Sequence, residues 1–200
     1  MRAACEATLR QWVVLISLLV VVRAHADEHG VWNVEALMAA RQQVKSDSAT
    51  FVEHKYLRIL MQRIESSGTL HYEAPDWIQK VTTKPTQETF ELRGDTVSSI
   101  QRDGQRFTAT LGEHPEMAAL VEAMRSTLAG DLITLRQHYT VELQGSRDRW
   151  QLRLTPKERF VSEKVGEIVI SGSLAALTLV EVHERDGDRS EMFIQSDDPR

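Results

Sequence analysis

Apolar residues fall at every second position through much of the second half of the chain. Val141 and Leu143, then Trp150, Leu152 and Leu154, then Ile168 and Ile170, then Met192 and Ile194 repeat in this way, with polar side chains between them. That is the period of a half-buried strand. The runs are separated by Gly145 to Asp148, by Gly172 and by Asp186-Gly187, residues that reach the backbone angles of a tight turn at little steric cost. Consecutive strands joined by short turns predict an antiparallel meander with one apolar face, and that face needs a cover.

The first half of the chain predicts a second meander. A long strand is expected from Phe51 to Met61, with Phe51, Leu57, Ile59 and Met61 on one side. Gly68 opens a strand through Leu70 and Tyr72 that Pro75 ends, because proline lacks the donor a ladder needs. Ile78 to Thr82 returns until Pro85, and Glu88, Phe90 and Leu92 share the next face. Gly94-Asp95 turns into Val97 to Ile100, Asp103-Gly104 marks a hairpin, and Phe107 to Leu111 closes the meander.

Elsewhere the period is helical. Asn33 caps a helix carrying Val34, Leu37, Met38 and Val44, which Ser46, Asp47 and Ser48 are expected to end. Met117, Leu120, Val121, Met124 and Leu128 stand on one face of a helix whose start is favoured by Pro115 and Glu116 and whose end is set by Gly130. Leu132 and Leu135 suggest a further short helix from Asp131 to His138. The whole is mainly β with α: about ten or eleven strands, one helix before them and one or two between the halves. A sheet that large twists in one hand and curls, and the amphipathic helices are its natural cover.

The first residues read as a targeting segment. Arg2 and Arg10 precede an apolar run from Trp12 to Val22, and Ala24-His25-Ala26 offers a small-x-small cleavage site. The run is too short to span a bilayer, which takes roughly 17 to 25 residues. Residues 1–26 are therefore expected to be a cleaved signal peptide and residues 27–200 one domain, soluble in the periplasm. The leader carries three arginines against Glu6, so its loss makes the formal net charge of −5 more negative, which argues against nucleic acid as a partner. The only cysteine, Cys5, leaves with the leader, so the exported chain relies on no disulfide.

Candidate chemistry is sparse. His54, His71, His114, His138 and His183 are scattered and match no metal-ligand spacing. Asp186-Gly187-Asp188 lacks the remaining ligands of a calcium loop and reads as a hairpin turn. Ser171-Gly172-Ser173 lacks the flanks of a nucleophile elbow. No catalytic residue, metal or cofactor is assigned. What remains is the apolar helix face, in which Met117 and Met124 can repack around variable apolar ligands and which Gly112 and Gly130 bracket as hinges would a lid.

The order of these parts resembles a known family. An exported N-terminal helix, the strand start Phe51-Val52-Glu53, the segment Gly68-Thr69-Leu70-His71-Tyr72-Glu73-Ala74-Pro75, Pro85, the turn at Gly94-Asp95, a helical insert and Trp150-Gln151-Leu152-Arg153-Leu154-Thr155-Pro156 look like the periplasmic outer-membrane lipoprotein carriers, LolA-like. The resemblance implies an unclosed antiparallel β-barrel with a lid of two or three helices, no enzyme activity and no cofactor. It also implies a monomer that takes acylated lipoprotein or lipid from an inner-membrane donor to an outer-membrane acceptor.

On this reading the pocket residues are Leu70, Tyr72, Trp77, Phe90, Leu92, Met117, Leu120, Val121, Met124, Trp150, Leu152 and Ile170. A one-residue slip would turn any strand's set to the other face. The alternative is a non-enzymatic periplasmic binding or structural domain with a filled core. The chain departs from the family pattern where the best-known carriers have an arginine that holds the lid: Ala74 stands there, preceded by Glu73. Trp77 remains of the expected aromatic residues, with Val81 and Thr83 nearby. These departures imply a divergent branch, similar to carriers encoded beside fatty-acid or polyketide-type lipid pathways, with a different lipid as cargo.

Overall fold

A computed structural model describes residues 31–197 apart from Met61 and His114, and leaves out the side chains of Pro115 and Glu116. The signal peptide read at residues 1–26 lies outside the described residues. Among the described residues eleven strands form one antiparallel sheet. They are β1 (Ser46–Tyr56), β2 (Ile64–Glu73), β3 (Trp77–Lys84), β4 (Glu88–Arg93), β5 (Thr96–Gln101), β6 (Arg106–Thr110), β7 (Tyr139–Ser146), β8 (Arg149–Pro156), β9 (Val165–Ser173), β10 (Ala176–Glu184) and β11 (Arg189–Ser196). Their order across the sheet is β6-β5-β4-β3-β2-β1-β11-β10-β9-β8-β7. Each meander is thus a run of neighbours, and the pairing of β1 with β11 welds the two together, with Phe51 opposite Ile194 and Val52 opposite Phe193. β6 and β7 remain as free edges, so the barrel is unclosed.

Helices cover the inner face of this sheet. The helices are α1 (Val34–Gln42), α2 (Pro115–Ala129), α3 (Leu132–His138) and a single turn, α4 (Arg159–Ser162). α1 begins where Asn33 accepts a hydrogen bond from the Ala36 amide at 2.8 Å, a side-chain cap that satisfies one of the first-turn donors. α2 ends at Gly130, whose φ of +71° favours glycine and whose hydrogen faces the Met38 carbonyl; a Cβ there would lie 2.3 Å from that oxygen. Asp131 then caps α3 by accepting from the Thr134 amide at 3.0 Å.

The core has two parts. The larger joins Leu37 and Met38 of α1, Ala119 and Ala123 of α2 and Leu135 of α3 to Trp150, Leu152, Leu154, Ile168 and Ile170 of the second meander. The smaller joins Leu92, Val97 and Leu111, with Ile78, Phe90, Met117 and Val121 packed against it. α2 belongs to both, so it bridges the two halves of the sheet.

Four local features differ from what the spacing predicts. Ser46, Asp47 and Ser48 do not end a helix but begin β1, where they pair with Glu73, Tyr72 and His71 of β2. At its other end β1 stops at Tyr56, and β2 begins at Ile64, four residues before Gly68. Beyond Tyr56 the chain folds against the β10–β11 hairpin instead, with the Arg58 amide donating to Asp188 at 2.7 Å and its guanidinium to the Asp186 carbonyl at 2.9 Å. Gly172 is not a turn residue; it lies within β9 opposite Trp150. A Cβ at Gly172 would come within 2.2 Å of the Trp150 ring, so the glycine is needed because the indole lies across it. The turn follows at Leu174 and Ala175, and the Leu174 carbonyl accepts the Trp150 indole N–H at 2.9 Å.

Candidate functional site

Between the two parts of the core, under α2, lies a cavity of about 300 Å³, at the lower end of the size range of small-molecule sites. Its floor follows from strand parity. Ala49 of β1, Leu70 and Tyr72 of β2, Ile78 of β3, Phe90 and Leu92 of β4, Val180 and Val182 of β10, and Met192 and Ile194 of β11 all turn to the concave face. Its roof is the face of α2 that carries Leu120, Val121, Met124 and Leu128. These four residues stand at helical spacing, so one helix can present all of them to the sheet.

The roof is fastened to the sheet by polar contacts. The Tyr139 hydroxyl at the start of β7 donates to the Ala119 carbonyl at 2.8 Å. The Arg125 guanidinium donates to the Gly94 carbonyl in the β4–β5 turn at 3.1 Å, lies 3.4 Å from Asp95 and pairs with Glu122 one turn back. Arg41 of α1, 1% exposed, donates to the Leu128 carbonyl at 3.3 and 3.2 Å and to the Ala175 carbonyl at 2.6 Å, and lies 3.9 Å from Asp47. At the position where the family's lid-holding arginine is expected, Ala74 instead donates its amide to the Lys45 carbonyl at 2.8 Å.

Of the pocket residues expected from the sequence, Leu70, Tyr72, Phe90, Leu92, Leu120, Val121 and Met124 come together around this cavity. Trp150, Leu152 and Ile170 do not reach it. They are at most 2% exposed beneath the helices, where the core is closed by side chains of α1, α2 and α3. Met117 packs into the smaller cluster at the start of α2. Trp77, at the first position of β3, instead has the Arg93 guanidinium over its ring at 5.7 Å.

Part of the wall is polar, which the set of apolar positions expected from the sequence does not include. Glu53 and Lys80 both line the cavity, with the Lys80 ammonium 2.5 Å from the Glu53 carboxylate and 4.9 Å from the centre of the Phe51 ring. Ser66 donates to the same carboxylate at 3.3 Å. The signal was present: Glu53 follows Phe51 by two and Lys80 follows Ile78 by two, so period-two alternation places them on the apolar face. Asp47, beside Arg41, also lines the cavity. The Tyr72 hydroxyl is buried there without a hydrogen-bond partner among the described residues. Burial raises the Tyr72 phenol above its ordinary value; Arg41 opposes the shift and Asp76 adds to it.

No group of three or more histidine, cysteine, aspartate or glutamate side chains among the described residues is placed to hold a metal ion. No helix among them is long and apolar enough to cross a membrane.

An unclosed antiparallel barrel roofed by helices over an apolar cavity is the class of protein that these elements define. The family described as outer membrane lipoprotein carrier protein LolA-like matches residues 30–196, and the chain belongs to that family. Solved structures to which the chain is similar include a LolA superfamily protein from Nitrosomonas europaea, 9% identical with a TM-score of 0.41, over 82% of this chain and 92% of that one. A DUF1329 family protein from Desulfovibrio piger is 12% identical with a TM-score of 0.46, over 81% of this chain and 88% of that one. LprF from Mycobacterium bovis is 10% identical with a TM-score of 0.37, over 84% and 92%. No curated protein matches the chain by sequence.

Proposed function

We propose that this protein is a periplasmic carrier that shields acyl chains of lipoproteins or lipids in the cavity beneath α2 and passes them from an inner-membrane donor towards the outer membrane. It acts as a monomer, without cofactor or catalysis. The observation that supports this reading is the apolar cavity between the concave sheet face and the Leu120, Val121, Met124 and Leu128 face of α2, in a chain of the LolA-like family. Transferring hydrocarbon from water into such a space is worth about 0.8 kcal/mol per methylene. Even a partly inserted chain therefore gains enough to travel through an aqueous compartment.

The test uses a neutral fluorescent probe, phenylnaphthylamine, whose emission rises in apolar surroundings. The expected result is a saturable signal with one site per chain, lost in Met124→Trp, where the indole fills the cavity. Absence of saturation, together with an unchanged signal in Met124→Trp, would sink the carrier reading in favour of a filled-core domain. Mass spectrometry of what co-purifies from the periplasm would then identify the cargo.

A further inference from the structure

An apolar cavity made only to hold hydrocarbon has no use for charges in its wall, yet this one includes Glu53, Lys80 and Asp47. Their arrangement is informative. Lys80 and Glu53 are both largely buried, at 26% and 19% side-chain exposure, and meet at 2.5 Å. Asp47 lies 3.9 Å from the buried Arg41 guanidinium and accepts a hydrogen bond from Ser196 at 3.4 Å. Each carboxylate in the wall thus faces a cation, and the wall's other basic residue, His71, is out of phase with Leu70 and Tyr72 and shares a hydrogen bond with Ser48 at 3.1 Å, so Lys80 is the cation the wall presents to an entering ligand.

We propose that the cavity selects acyl chains whose polar end is uncharged, as in esters and amides, over ionised fatty acids, and that Glu53 sets this preference. The inference rests on the carrier reading and names the ligand class for that site. An ionised carboxylate loses its hydration on entering an apolar cavity and needs a free cation in return. The cation within reach, Lys80, is already held by Glu53, whose own charge repels a second carboxylate.

An ester or amide carbonyl has neither difficulty. It accepts one of the three ammonium N–H groups of Lys80 without displacing Glu53. The buried Tyr72 hydroxyl, 5% exposed and unpartnered, offers a further donor in the same wall. Asp47 and Glu53 stand six positions apart along β1, a rise of ~20 Å. The polar groups thus lie apart along the cavity, and apolar surface at Ala49, Leu70, Met192 and Ile194 is available for the chain between them.

The experiment is displacement of phenylnaphthylamine by laurate and by glyceryl monolaurate, at mildly alkaline pH where laurate is ionised. The expected result for the unmodified protein is displacement by the monoester at concentrations about tenfold or more below those of laurate. Glu53→Gln frees Lys80 and is expected to reverse the order. Lys80→Met removes the cation and is expected to widen the original gap. Equal or better displacement by laurate from the unmodified protein overturns the proposal while leaving the carrier reading intact, and so does a ratio that Glu53→Gln does not move. Probe binding that neither lipid displaces overturns both. The comparison on the unmodified protein decides the matter even where a variant fails to fold.

Discussion

The Tyr139 hydroxyl donates to the Ala119 carbonyl from a side chain that is 1% exposed. Burial pushes this phenol far above its ordinary value of 10.0, with the carboxylates of Glu158 and Glu122 adding to the shift. In the unfolded chain the group ionises at its ordinary pKa, whereas in the folded chain it keeps its proton. Its contribution is therefore fully present below about pH 10 and is lost as pH rises beyond that, at up to about 1.4 kcal/mol per pH unit. Tyr139→Phe should cost about 1 kcal/mol at neutral pH, by removing the donor to Ala119, and should flatten the alkaline fall in stability. Urea unfolding of both proteins from about pH 8 to about pH 11 checks the two effects separately. At this scale the sequence is only half legible. Alternation puts Trp150, Leu152 and Ile170 on the same inner face as Leu70 and Tyr72, but it does not say whether a neighbour or empty space lies opposite.

α2 is the element on which the cavity depends, and its five apolar positions were readable from spacing alone. Spacing did not reveal that the stripe divides. Met117 joins Leu92, Val97 and Leu111, Leu120, Met124 and Leu128 roof the cavity, and Val121 touches both. The division arises because the apolar face of a helix is broad, and this helix lies over two halves of a curved sheet. Arg125 is the polar link between α2 and the β4–β5 turn. Arg125→Ala should therefore raise the dissociation rate of phenylnaphthylamine about fivefold to tenfold, as expected for loss of partly exposed polar contacts worth about 1 kcal/mol together, with little change in overall fold. Stopped-flow displacement measures this, and an unchanged rate would show that α2 does not open on the Arg125 side.

In the whole molecule, the seam between β1 and β11 holds the two meanders in one sheet. Phe51 lies at this seam, opposite Gly68 on one side and Ile194 on the other, and is 2% exposed. Phe51→Ala should cost about 3–5 kcal/mol, since the cavity left in a pleated wall cannot collapse freely. Because the larger core joins helices to the second meander while α2 and the seam tie in the first, unfolding should be a single event. Thermal transitions followed by tryptophan fluorescence and by far-ultraviolet circular dichroism should coincide in the parent protein. Two separated transitions would show that the meanders melt independently.

The antiparallel meanders, the helical insert between them and the apolar face of α2 could be read without coordinates, because those features follow from local periodicity and from residues such as Pro75, Gly94 and Gly130 that restrict or free the backbone. It also carried the signature of the family to which the chain belongs. Long-range packing settles that Ser46 to Ser48 extend β1, that Gly172 makes room for the Trp150 ring, that the second meander is plugged by helices while the centre of the sheet is not, and that Lys80 meets Glu53 inside the cavity. Each of these depends on what packs against a residue from a distant part of the chain, and spacing along one strand or helix contains no record of its neighbours.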